Sequence, residues 1–156
     1  MKIHNLLTQD MILPAMEAAT ADEVIKEMVN FLRKKNLISK EKDLCDKLIQ
    51  REQLGSTAIG EGVAIPHCKL KSVGKPIIML AISKKGVDFH SLDGKSSRVF
   101  FLVVSSPDNP SLNLQILAAI AHLVRKADSL LKKLMEAKTV GQILDVIREE
   151  EEKLDD

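Results

Sequence analysis

"RVFFLVVSSPDNPSLNLQILAAIAHLV", residues 98–124, holds a strand, a break and a helix in succession. Val99 to Val104 is an apolar run rich in β-branched and aromatic residues, the strongest strand signal in the chain. Pro107, Asp108, Asn109 and Pro110 end it. Asn109 is placed to cap a helix, with Pro110 at the first helical position, where its missing N–H costs nothing. Leu114, Leu117, Ala118, Ala121 and Val124 then supply an apolar stripe at helical spacing.

Outward from this unit, strands cluster in the middle of the chain. "PIIMLAIS" (76–83) is short, apolar and bounded by turn residues, the pattern of a buried strand. "GVDFHSL" (86–92) alternates before an Asp93-Gly94 turn, which predicts another strand. Helical patterns flank them. Thr20 and Glu23 form a capping box ahead of Val24, Met28, Phe31 and Leu32. A second helix is predicted to start after Ser39 and to run through Leu44, Leu48 and Ile49 to about Gln53. A short helix is expected within 129–138, and Thr139 with Gln142 caps a last one carrying Ile143, Val146 and Ile147. The acidic stretch 149–156 reads as a solvated, fraying tail. The expectation is α/β: one domain over residues 1–156, with one sheet covered by helices.

Composition narrows function. The chain has 156 residues, 45% of them apolar and 29% charged, the proportions of a globular protein. There is no Trp or Tyr and only four Phe, so the core is aliphatic and base-stacking platforms are missing. A formal charge of +1, from 23 basic and 22 acidic residues, gives no broad field for nucleic acid or an anionic membrane. No apolar run is long enough to span a bilayer, and "MKIHNLLTQDMIL" lacks the features of a secretory signal. Cys45 and Cys68 read as free thiols of a cytoplasmic protein.

The chemistry concentrates in "GSTAIGEGVAIPHCKL" (55–70), which holds Gly55, Gly60 and Gly62, three of the seven glycines. Their spacing fits neither a P-loop nor a dinucleotide fingerprint. Two readings stand: a tight connection between helix and strand, or an anion cradle of backbone N–H groups with the Ser56 and Thr57 hydroxyls. His67 ends the run after Pro66. It is either a satisfied structural histidine or a nucleophile that takes a phosphoryl group, with loop donors stabilising the phosphoryl oxygens. A His67–Cys68 pair is excluded, because neighbours on a strand point to opposite faces. His4 lies near a terminus expected to be mobile, His90 at a solvent-facing strand position and His122 at the edge of a helix's apolar face. No metal spacing is present, and no cofactor is implied. A hydrolase using His67 as base lacks a nucleophile and carboxylate set. Asp88 and Asp93 read as turn and surface residues.

"REQLGSTAIGEGVAIPHCK" (51–69) closely resembles the active-site motif of fructose/mannitol-type enzyme IIA domains of the bacterial phosphoenolpyruvate-dependent phosphotransferase system. The nitrogen-regulatory enzyme IIA proteins belong to the same family. "GVDFHSLDGK" and the opening stretch resemble its later segments. The resemblance implies a mixed, mostly five-stranded sheet between helices. It implies a phosphotransferase component in which His67 accepts a phosphoryl group at Nε2 from the carrier HPr. His67 then passes the group to an enzyme IIB cysteine, or signals to a regulatory target. It places Arg51, Ser56 and Thr57 beside the phosphoryl group. Family members usually carry a second histidine in an "LHL"-like pattern; here the stretch is "SLNL", with Asn113 at that position. An asparagine amide can donate a hydrogen bond to a phosphoryl oxygen but cannot carry positive charge. Slower transfer or an altered partner preference is expected from it.

Overall fold

The alternation of side chains on the two central strands explains the architecture. In the computed structural model, which describes residues 1–155, β5 (Ile77–Val87) and β6 (Ser97–Ser105) pair antiparallel as the central strands. Side chains alternate across a strand. Val99, Phe101 and Val103 therefore enter one apolar cluster, and Phe100, Leu102 and Val104 enter the other. Ile78, Leu80 and Ile82 of β5 join the first, Met79 and Ala81 the second. Both faces are apolar, so both must be covered.

α1 (Ala21–Lys34) and α2 (Glu41–Gln53) cover the second face through Val24, Met28, Leu32, Leu44 and Leu48. α3 (Pro110–Lys126), α4 (Leu130–Glu136) and α5 (Val140–Lys153) cover the first. Six strands occupy five positions across the sheet. The order is β1 (Ile12–Leu13), β5, β6, β3 (Val63–Ala64), β2 (Ala58–Gly60), and β4 (His67–Lys69) follows β3 along the same edge of β6. β1–β5, β3–β6 and β4–β6 are parallel, and β5–β6 and β2–β3 antiparallel. The expected mixed α/β sheet between helices is the observed fold, with one more strand than the approximate five.

The caps follow the sequence. The side chains of Thr20, Asn109 and Thr139 accept from the backbone N–H of Glu23, Leu112 and Gln142. Four expectations need correction. "GVDFHSL" is no separate strand: β5 runs on to Val87, and the chain then leaves the sheet, with exposed His90 in the left-handed region at φ 61°. The buried stripe of α3 is Asn113, Ile116, Ile120, Leu123 and Val124, about one residue round from the expected one. Leu114 stays 69% exposed. Most of this helix is apolar all round, and the isoleucines bury more surface than Ala118 and Ala121 can.

The acidic stretch 149–156 is no frayed tail. Residues through Lys153 belong to α5, and Glu150 and Glu151 are buried; Asp156 lies outside the described residues. Glu151 accepts from the backbone N–H of Ile3 (2.7 Å) and of His4 (2.8 Å) and contacts His4 Nδ1 at 2.7 Å. His4 is thereby fixed rather than mobile. Glu150 accepts from Lys133 at 2.5 Å and Lys153 at 3.3 Å. Burial pushes the Glu150 carboxyl up, but these two cations outweigh it and leave it below its ordinary range.

Candidate functional site

His67 opens β4 and pairs in register with Val103. Pro66 carries no N–H, yet its carbonyl accepts from Val103 N at 3.0 Å, which aligns the strand entry. Alternation sends Cys68 toward α1 and α2, where it packs in the second cluster. His67 therefore lies on the opposite side, the face of Ile65 and Val103. The ring is half-buried, and its Nδ1 lies 2.7 Å from the carbonyl oxygen of Ile65. A carbonyl only accepts, so Nδ1 carries the proton. In the neutral ring, the lone pair is then on Nε2.

Ile65 is itself held. Its N–H donates to the Thr57 carbonyl at 3.0 Å. The Thr57 N–H donates to Glu52 Oε2 at 3.1 Å, and its hydroxyl donates to Glu52 Oε1. A chain of backbone and carboxylate contacts thus runs from the last turn of α2 through the loop to the His67 ring. Glu52 is a positioning residue that sequence reading missed. The available signal was its place five residues before Thr57, in "REQLGST".

The other expected residues are engaged with the loop. Arg51 Nη1 donates to the Gly55 carbonyl at 2.8 Å. The Ser56 hydroxyl donates to the Phe89 carbonyl at 2.5 Å and accepts from Ala58 N at 3.0 Å. The single protons of the Ser56 and Thr57 hydroxyls are already committed, so these groups shape the loop in this geometry and do not donate into an open site. The turn glycines are also displaced from the expected cradle. Gly60 and Gly62, at φ 88° and 75°, make the β2–β3 hairpin turn. The Gly62 carbonyl accepts from Arg98 N, five residues before Val103, so the turn lies about 17 Å along β6 from the His67 pairing. The positive φ at Gly62 accounts for a glycine there, and a Cβ would also crowd the tip of the Leu131 side chain at 2.9 Å. These two glycines therefore serve a strand-to-strand turn, neither the anion cradle nor the helix-to-strand connection expected of them.

Asn113 sits in the first turn of α3, buried, on the His67 side of the sheet. Its Nδ2 donates to the Ser106 carbonyl at 3.0 Å. Its Oδ1 is buried with no hydrogen-bond partner. One amide hydrogen is therefore spent on the backbone, and the amide presents an unpaired acceptor. Burial pushes the Cys68 thiol up to about 11, which keeps it a thiol beside the histidine. His90 and His122 are both exposed. Among the described residues there is no group of His, Cys, Asp and Glu placed to hold a metal ion.

A family model described as "Phosphoenolpyruvate-dependent sugar phosphotransferase system, EIIA 2" matches residues 5–150. The chain belongs to this family. It is thus a type-2 EIIA domain, a phosphotransferase component. It is 35% identical over 149 residues to a "PTS system fructose-specific EIIABC component" of Bacillus subtilis, covering 96% of the chain but only 23% of that protein. It is 33% identical to a "Nitrogen regulatory protein" of Bradyrhizobium diazoefficiens, covering 94% of the chain and 95% of the relative. Among solved structures, nitrogen regulatory protein IIA-Ntr of Neisseria meningitidis superposes with a TM-score of 0.82 at 25% identity, covering 93% of this chain and 98% of that one. The mannitol enzyme IIA of Escherichia coli, solved in complex with phosphorylated enzyme IIB, matches with a TM-score of 0.75 at 20% identity, covering 90% and 95%. No helix among the described residues is long and apolar enough to cross a membrane.

Proposed function

We propose that this chain is a cytoplasmic phosphocarrier whose His67 accepts a phosphoryl group from phospho-HPr and passes it to a cysteine of an enzyme IIB domain. The observation that carries the reading is the 2.7 Å contact between Nδ1 and the Ile65 carbonyl, which leaves Nε2 as the nucleophile. The Nε2 lone pair attacks phosphorus, and the bond from phosphorus to the donor's histidine nitrogen breaks. In the onward step a thiolate attacks phosphorus, and Nε2 takes back its electron pair as leaving group. Nδ1–H stays on Ile65 throughout, so the ring need not reorient between the two transfers.

Arg51, Ser56 and Thr57 serve the site by fixing the loop, and Asn113 borders it from α3. The mannitol enzyme IIA of Escherichia coli, which shares this fold, was solved with phosphorylated enzyme IIB, and this supports a IIB-type acceptor. A regulatory reading has its own support: the match to the nitrogen regulatory relative runs over 95% of that protein. In that reading the charge added at His67 alters contacts with a transporter or regulator.

The test supplies phosphoenolpyruvate, enzyme I and HPr. The intact mass should rise by one phosphoryl group, about 80 Da, and His67→Ala should abolish the gain. Labelling of the variant at another histidine would overturn the assignment.

A further inference from the structure

At the end of the molecule away from His67, a cleft of about 810 Å³ opens between the β2–β3 turn, the start of β6, the end of α3 and α4. This volume is in the range of small-molecule sites. Lys95, Arg98, Arg125 and Lys132 line it, against two carboxylates, Glu61 and Asp128. The four cations and two carboxylates give the cleft a local excess of two positive charges, in a chain whose formal charge is only +1. Among the described residues, none of the four cations is in an ion pair. Arg98 is braced, its Nη1 donating to the Lys84 carbonyl at 3.1 Å. Val63, Val124 and Leu131 supply apolar lining.

Four unpaired cations over an apolar floor suit an anion with an apolar body. Guanidinium groups favour the oxygens of a phosphate, and the aliphatic lining favours its ester substituent. Arg98 is five residues along β6 from Val103, the partner of His67, a separation of about 17 Å. Arg125 is twelve residues along α3 from Asn113, about 18 Å. The cleft is therefore separate from the phosphoryl site.

We propose that this cleft binds a small phosphate monoester at a site independent of His67. The probes are 4-nitrophenyl phosphate, inorganic phosphate and neutral 4-nitrophenyl glucoside, titrated at low salt while backbone amide NMR shifts are followed. Saturating shifts are expected at Gly62, Lys95, Arg98 and Lys132, with 4-nitrophenyl phosphate tighter than inorganic phosphate and the glucoside silent. Arg98→Gln with Arg125→Gln should weaken binding at least about tenfold, as should Lys95→Gln with Lys132→Gln if the first pair perturbs folding. His67→Ala should bind as the native chain does. Shifts that never saturate at the cleft, equal response to the glucoside, or unchanged affinity in the folded charge variants would overturn the proposal. Because His67→Ala retains this binding, the result is separable from the phosphocarrier assay.

Discussion

The carbonyl of Ile65 holds Nδ1 of His67 at 2.7 Å, and the N–H of Ile65 is bound to the Thr57 carbonyl at 3.0 Å. One backbone residue therefore fixes which ring nitrogen can react and ties that choice to the loop. The anchor at the loop's far end is Glu52, which receives both the N–H and the hydroxyl of Thr57.

Glu52→Ala should slow phosphorylation by HPr while leaving His67 intact. The loss of two hydrogen bonds to a charged group, both from the buried Thr57, predicts a destabilisation of about 2–3 kcal/mol. Denaturant melts measure that cost, and single-turnover labelling measures the rate. Glu52→Gln keeps an acceptor for Thr57 and should recover much of both. A rate unchanged in Glu52→Ala would detach the loop from the site.

Asn113 offers an unpaired buried acceptor at the position where the family resemblance implies a histidine. An imidazole can donate, and when protonated it adds positive charge toward the phosphoryl oxygens. Asn113→His is expected to speed phosphoryl transfer from HPr by about tenfold, equivalent to roughly 1.4 kcal/mol of added transition-state stabilisation. Equal rates would show that this position is indifferent to charge.

The terminal clasp makes a prediction about stability. Glu151 binds two backbone N–H groups and the His4 ring. Glu151→Ala leaves buried donors unpaired and should cost about 3 kcal/mol. Thermal melts report the loss, and hydrogen exchange should accelerate first at Ile3 and His4. A melt within error of the native one would mean that the clasp adds nothing.

The Glu150–Lys133 pair predicts a pH dependence. The folded Glu150 carboxyl lies below its ordinary range, so the unfolded chain takes up its proton first as pH falls. The pair's contribution is present above the ordinary carboxylate value of about 4.3 and is lost as pH drops through the lowered folded value. Lys133 is raised by its hydrogen bond to Glu150, so on the alkaline side the contribution is lost only as pH rises through that raised value. Lys133→Met should be less stable than the native chain at pH 7, and the gap should close in strong acid. A gap that is the same at every pH would contradict this.

Cys68 should resist alkylation at pH 8. Its thiol is pushed up to about 11 by partial burial against α2, so the thiolate fraction is small until strongly alkaline pH. Iodoacetamide labelling followed by peptide mapping should show the rate at Cys68 climbing toward that value. Rapid modification at neutral pH would place the side chain elsewhere.

The sheet and its caps were legible because they rest on short-range signals: the apolar run 98–104, Asn109 before Pro110, and Thr139 before Gln142. Periodicity failed where it was degenerate. The α3 sequence is apolar on most sides, so only the bulk of Ile116 and Ile120 decides which stripe packs. The acidic end misled because nothing local shows that Ile3 and His4 arrive to pair with Glu151 across the length of the chain. In the loop, the pattern picked out Ser56 and Thr57 but could not show that their hydroxyls turn to Phe89 and Glu52. Those partners are fixed by tertiary placement alone.

The most direct test of the account is the position of phosphate on the phosphorylated chain, read from long-range proton–nitrogen spectra of its histidine rings. Because Ile65 holds Nδ1, the phosphoryl group should appear on Nε2 of His67, with Nδ1 still protonated. Phosphate on Nδ1 of His67, or on the ring of His4, His90 or His122, would contradict it.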